Sequence, residues 1–238
     1  MKYALITGAS GDIGLSIAKQ LAADGYGLFL HYHQNRHSLE QFVSNTLVKE
    51  AYLIQADLSA TNGVEMLLSQ LQQPVDVIVH NCGNSYYGLV TDMSDELVAK
   101  MVQLHVTSPF LLTKKLLPHM ISQKSGNIVV ISSIWGLTGA SCEVLYSMVK
   151  GGQNTFVKAL AKELAPSGIR VNAVAPGAIH TKMLDQFNKE ELAQLADEIP
   201  MGRMGTPDEV AKAVSFLISN HASYITGQIL SVNGGWYC

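Results

Sequence analysis

Tyr146 and Lys150 stand four residues apart in a run, 145–165, whose pattern reads as a helix. Four-residue spacing on a helix puts a phenol and an ammonium on one face. A free tyrosine titrates near pH ~10 and is a poor proton donor or base at neutral pH. A cation beside it favours the phenolate and lowers that value. The pair therefore suits proton transfer at a carbonyl oxygen. Alone it is weak, because the same spacing arises by chance on many surface helices. Other parts of the chain agree with it.

The elements that would hold this pair are legible as alternating apolar runs. Residues 3–7, 27–32, 51–56, 75–80, 127–132, 169–175 and 228–232 read as strands, with 75–80 and 127–132 apolar enough to be buried on both faces. Helical patterns fill the gaps, at 13–24, 38–47, 95–122, 145–165 and 207–220. Pro207 follows Thr206, which reads as an N-cap with proline at the first helical position. Such alternation predicts a Rossmann-type doubly wound α/β fold, with about seven parallel strands and helices on both faces. No linker, charge run or low-complexity tract divides residues 1–238, so a single domain is expected.

Composition narrows the function classes. Net charge is −3 with no basic block, which argues against nucleic acid as the main partner. The apolar runs are too short to span a bilayer, and the start of the chain lacks signal-peptide organisation. Cys82, Cys142 and Cys238 are scattered, without metal-ligand spacing. A reduced, cytoplasmic setting without a metal site is expected.

The segment from Thr7 to Gly14, TGASGDIG, lies between the first strand and the first helix. Glycines there permit a tight turn and close approach to a pyrophosphate at the helix N-terminus. The alternative is a turn that only packs helix on strand. At the end of the second strand, His31-Tyr32-His33-Gln34-Asn35-Arg36 contains no acid for a ribose 2′-hydroxyl. Arg36 and the histidines could instead accept a 2′-phosphate, which favours NADP(H); otherwise Arg36 is only a solvated charge.

These motifs together resemble the short-chain dehydrogenase/reductase family, and within it the 3-oxoacyl-(acyl-carrier-protein) reductase branch. The resemblance spans essentially the whole chain. It runs through the glycine turn, Asp57-Leu58, Asn81-Cys82-Gly83, Ser132-Ser133, Tyr146/Lys150, 171–177 (VNAVAPG), 203–211 (RMGTPDEVA) and 224–227 (YITG). It implies that Ser133 donates to the substrate carbonyl, that Tyr146 is the acid in reduction, and that Lys150 lowers the tyrosine pKa and holds the nicotinamide ribose. It places the dinucleotide at Gly8, Ser10, Gly11, Ile13 and Gly14, beside the Arg36 read above, with Asp57 and Leu58 at adenine. Asn81 and Gly83 would line the cleft, and Pro176, Gly177, Ile179 and Thr181 would flank the nicotinamide amide. A homotetramer paired through the long helices is also implied.

Three departures from that pattern matter. Asp12 replaces a usual glycine and Gly11 a common basic residue; a carboxylate there either repels a pyrophosphate or points outward and favours the helix N-terminus. His105 stands where the family has a catalytic asparagine that acts largely through its carbonyl and a relay water. Pro109, four residues on, has no N–H, so the carbonyl of His105 is expected to be free; the alternative is a packed, non-catalytic ring. Glu143 lies three residues before Tyr146, and Ser167 replaces an arginine used for a carrier protein. Tyr86, Tyr87 and Trp135 would edge the pocket.

A pocket acid and a lost docking cation suggest a cationic substrate. The wording around Ser133-Ile134-Trp135-Gly136 and Ser141-Cys142-Glu143 is similar to a side branch assigned as elongation factor P 5-aminopentanone reductases. Otherwise Glu143 is a loop acid. Ketone reduction on a carrier, aminoketone reduction on a protein, and a catalytically silent dinucleotide sensor are thus the competing readings.

Overall fold

The computed structural model describes residues 1–46, 48–182 and 188–238. Its strands are β1 (Tyr3–Ile6), β2 (Gly27–Tyr32), β3 (Ala51–Gln55), β4 (Val77–His80), β5 (Gly126–Ile131), β6 (Ile169–Pro176) and β7 (Ile229–Val232). All are parallel, in the order β3-β2-β1-β4-β5-β6-β7. The helices are α1 (Asp12–Ala23), α2 (His37–Asn45), α3 (Gly63–Leu68), α4 (Asp95–Val102), α5 (Ser108–Gln123), α6 (Trp135–Thr138), α7 (Val144–Leu164), α8 (Lys189–Asp197) and α9 (Pro207–Ile218). The expected end of the second helix, Leu47, lies outside the described residues.

The strands read as continuous apolar runs because successive side chains enter two different cores. Ile6, Leu30, Val79 and Val129 pack with Ile17 and Leu21 of α1 and Val210 and Val214 of α9. Their neighbours Leu5, Phe29, Ile78 and Ile128 face the other way, onto Leu67 of α3, Leu112 of α5 and Val157 and Ala161 of α7. Burying each large apolar side chain contributes about 2 kcal/mol. The register is fixed on both sides of β1, where Ile6 is paired with Leu30 and with Val79. Strand order reverses at β1 and β4, so the loops after these two strands diverge and leave a crevice at their carboxyl ends.

Two local features depart from plain helix. The N–H of Thr206 donates to the Glu209 carboxylate at 2.8 Å, starting α9 as the Thr-Pro pair predicts. The single helix expected over 95–122 is interrupted: a π-helical segment, Gln103–Thr107, separates α4 from α5. Pro109 supplies no N–H to the carbonyl of residue 105, and the Ser108 N–H bonds back to Gln103 five residues earlier. The bulge carries His105, which is fully buried.

Candidate active site

The glycine turn is built by its neighbours. Gly8 has φ 65°, and a Cβ there would stand 2.9 Å from Cα of Cys82. Asn81, just after β4, donates its amide to the carbonyls of Thr7 and Gly8, each at 3.0 Å, while the N–H groups of Asn81 and Cys82 donate to Thr7 Oγ1. The main-chain N–H groups of the first α1 turn, around Ile13 and Gly14, have no intrahelical acceptor and follow the N-cap Gly11. This cradle fits a dinucleotide pyrophosphate. Ser10 anchors the turn to α2 through its carbonyl, which accepts from Ser38 Oγ at 3.3 Å. Asp12 turns its carboxylate onto the segment after β6, accepting the Lys182 N–H at 2.7 Å.

His31 corrects one expectation. Its Nδ1 accepts the Gly8 N–H at 3.0 Å, so Nε2 carries the proton and donates to the Ala56 carbonyl at 3.1 Å. The ring is fully buried, and burial pushes its pKa down to about 4. It is neutral and already partnered, so it supports the glycine turn and cannot attract a phosphate. His33 is exposed, 3.8 Å from Asp57, and Arg36 is exposed with its Nε 2.7 Å from Glu40.

The other residues expected on the cofactor side lie at the turns and loops that follow β3, β4 and β6. Asp57 accepts from Ser59 N–H and Oγ, closing the turn after β3. Leu58 is a core residue whose carbonyl accepts from Ser108 at 2.7 Å. Pro176 ends β6, Gly177 donates its N–H to Val232, Ile179 is bridged to Gly205, and Thr181 follows. Gly83 is required by its neighbour: a Cβ would meet the His105 ring at 2.7 Å.

Ser133, Tyr146 and Lys150 converge. Ser133 follows β5, accepts the Trp135 N–H at 3.2 Å, and its hydroxyl hydrogen-bonds the Tyr146 phenol. Lys150 Nζ lies 5.5 Å from the Tyr146 ring centroid and donates to the Ile131 carbonyl at 2.8 Å and to Gln153 Oε1 at 3.2 Å. The expected lowering of the tyrosine pKa is not found. Burial outweighs the bond from Ser133 and raises Tyr146 to about 12, with the Glu143 charge adding to the rise. Burial also lowers Lys150 to about 8. A phenol that keeps its proton is suited to the role of acid in reduction.

His105 corrects a second expectation. Its carbonyl is not left free, because it accepts from Gln153 Nε2 at 2.7 Å. Its ring meets Tyr146 edge-on, with centroids 5.9 Å apart, and Nε2 lies 3.0 Å from the Asn84 carbonyl. Burial and the Lys150 charge push its pKa down to about 3, so the ring is a neutral wall at physiological pH. Gln153 was not expected from the sequence, where it reads only as a polar position on a helix.

At the mouth, Glu143 is half-buried at the start of α7. Burial raises its carboxyl above the usual range, against a hydrogen bond from Trp135 that lowers it. Trp135 meets Trp236 edge-on at 5.3 Å, adding a wall from the distant end of the chain. Tyr86 packs over Gly88, whose N–H donates to the Cys142 carbonyl, and Tyr87 lies exposed beside it.

Residues 8–237 match a family model described as enoyl-(acyl carrier protein) reductase. An uncharacterized oxidoreductase, YmfI, of Bacillus subtilis strain 168 is 60% identical over 240 residues, covering 100% of this chain and 99% of the relative. The chain belongs to the short-chain dehydrogenase/reductase family. Within that family, 3-oxoacyl-(acyl-carrier-protein) reductase FabG of Staphylococcus aureus strain Mu50 is 36% identical over 241 residues, covering 99% of this chain and 98% of the relative. Among solved structures, the angucycline C-6 ketoreductase LanV with bound NADP superposes with a TM-score of 0.90 at 25% identity, covering 99% of this chain and 95% of the other. The short-chain dehydrogenase/reductase fold, a seven-stranded parallel sheet flanked by helices, is thus reproduced here, and the chain is an oxidoreductase of that family.

Proposed function

We propose that this chain is an NADPH-dependent reductase that converts a ketone to a secondary alcohol. The observation that carries this is the convergence of the Ser133 hydroxyl, the Tyr146 phenol and the Lys150 ammonium at the carboxyl edge of the sheet. Bound dinucleotide supplies the hydride. As the carbonyl carbon is reduced, charge grows on its oxygen; Ser133 and Tyr146 are two O–H donors placed to stabilise it, and Tyr146 then yields its proton. NADP is favoured because no acid lies among residues 30–36 and because the neighbour LanV holds NADP. Arg36 would exchange Glu40 for the 2′-phosphate.

The substrate reading closest to the FabG relatives is a 3-oxoacyl thioester on a carrier protein. Glu143 favours a second, an aminoketone such as one carried on a lysine of elongation factor P. Its half-buried carboxylate beside Tyr146 is placed to hold an amine, and a partly desolvated ion pair is worth more than an exposed one. The deciding experiment is a nucleotide-oxidation assay with an acetoacetyl thioester, a small aminoketone and an enoyl thioester, run with NADPH and with NADH. Ketone turnover at a lower KM for NADPH than for NADH is expected; turnover of the enoyl thioester alone, or preference for NADH, contradicts the proposal. Glu143→Gln should raise KM for the aminoketone by about 10-fold and change the thioester little. Equal effects on both would make Glu143 a structural loop acid.

The same reading takes residues 1–238 as one catalytic domain, in a reducing cytoplasmic setting that its three free cysteines suit. It also makes the chain a homotetramer. Val106, Phe110, Val144 and Met148 are apolar yet exposed on the π segment, α5 and α7, on faces turned away from the sheet. Light scattering at micromolar concentration should give a mass of four chains; a monomer would count against this assembly.

A further inference from the structure

We propose that Gln153 is a positioning residue of this site, its side-chain amide bridging the Lys150 ammonium to the His105 carbonyl and so fixing the ammonium in place. The inference rests on the reductase reading. Tyr146, Lys150 and Gln153 occupy positions i, i+4 and i+7 of α7 and so share one face. Lys150 and Gln153 are each 4% exposed and His105 is fully buried. The amide oxygen takes the ammonium at 3.2 Å and the amide nitrogen gives to the carbonyl at 2.7 Å. That polarity has no workable reversal: flipping the amide would set NH2 against an ammonium and one carbonyl oxygen against another.

No other side chain of this size satisfies both neighbours. Leucine would leave a buried ammonium and a buried carbonyl short of partners. Glutamate would pair with the ammonium and damp its field at Tyr146, and it would confront the His105 carbonyl with an anion. Glutamine holds Lys150 in place while leaving its charge uncompensated, and no carboxylate among the described residues forms an ion pair with it. The Ile131 carbonyl is the second fixed acceptor. β5 and the π segment are thereby both tied to α7, the first through the ammonium and the second through the Gln153 amide. A bridging water could make the same two bonds but would exchange; the amide is bonded to the helix that carries Tyr146.

The titratable groups facing Lys150 are Tyr146 on α7, His105 on the π segment and Cys82 after β4. Burial pushes Tyr146 up to about 12 and Cys82 up to about 11, burial with the Lys150 charge pushes His105 down to about 3, and burial pushes Lys150 down to about 8, so the four groups are well separated. The test follows the Lys150 side chain by NMR in protein labelled with 13C at lysine Cε, its signal identified by its loss in Lys150→Met. Gln153→Leu should lower the titration midpoint by about one pH unit and Gln153→Glu should raise it. In parallel, Gln153→Leu should lower kcat by about 10-fold with KM for the ketone within about 2-fold, and shift the alkaline limb of the kcat profile with the midpoint. Should Gln153→Leu fail to fold by circular dichroism, the Gln153→Glu titration decides. Midpoints unchanged in the folded variants overturn the proposal. If wild-type protein reduces no ketone, the reductase reading falls, while the midpoints still decide the role of Gln153.

Discussion

Tyr146→Phe is expected to lower kcat for ketone reduction by about 10³-fold or more while NADPH still binds. The substitution removes one oxygen. It keeps the ring that meets His105 edge-on and the helix face that holds Lys150. What disappears is the proton donor and one of two hydroxyls at the reacting oxygen; Ser133 remains as a hydrogen-bond donor but has no reason to give up its proton at neutral pH. Because burial holds the phenol protonated up to about pH 12, the acid form prevails across the physiological range. Fluorescence titration of NADPH should give a Kd within about 3-fold of wild type, so that the loss lies in kcat. Residual turnover above about a tenth of wild type would remove Tyr146 from the role of acid.

Lys150→Met should cost about 10²-fold in kcat and leave a second signature in stability. Its amine is buried, with a pKa lowered from 10.5 to about 8. Between those two values the unfolded chain binds more protons at this site than the folded one, so folding stability rises with pH across that window. Wild-type protein should therefore gain on Lys150→Met by up to about 1.4 kcal/mol per pH unit between pH 8 and 10.5, roughly 3 kcal/mol in all. Urea melts of both proteins at pH 7, 9 and 10 measure the difference, in which titrating groups away from Lys150 cancel. A constant difference would show that the ammonium carries no burial penalty, and the uncompensated charge beside Tyr146 would lose its basis.

The parts of this site set by strong local rules were legible in the sequence. A strand buried on both faces is a continuous apolar run, so β4 and β5 declared themselves, and with them the crevice where strand order reverses. The turn after β1 was legible because Gly8 adopts a backbone conformation that other residues rarely take. What was not legible depends on partners far along the chain. The helical pattern over 95–122 is unbroken in periodicity, and the π segment within it is fixed by Pro109 together with a side chain of α7. His31 reads as a possible partner for a 2′-phosphate, yet it is fully buried and Gly8 uses its lone pair. The tyrosine pKa followed the same logic: spacing shows that Lys150 is near, but only the packed site shows that burial raises the phenol against the bond from Ser133. Trp236 faces Trp135 because β7 returns to the edge of β6, which no local signal announces.

The most direct measurement follows the transferred hydrogen. NADPH carrying deuterium at both C4 positions of the nicotinamide, incubated with wild-type protein and either the acetoacetyl thioester or the aminoketone, should yield an alcohol with deuterium on the carbinol carbon, detected by mass spectrometry. The same incubation with Tyr146→Phe should yield almost none. An unlabelled alcohol, no alcohol from either ketone, or equal labelled product from the Tyr146→Phe protein would contradict a ketone reductase acting through Ser133, Tyr146 and Lys150.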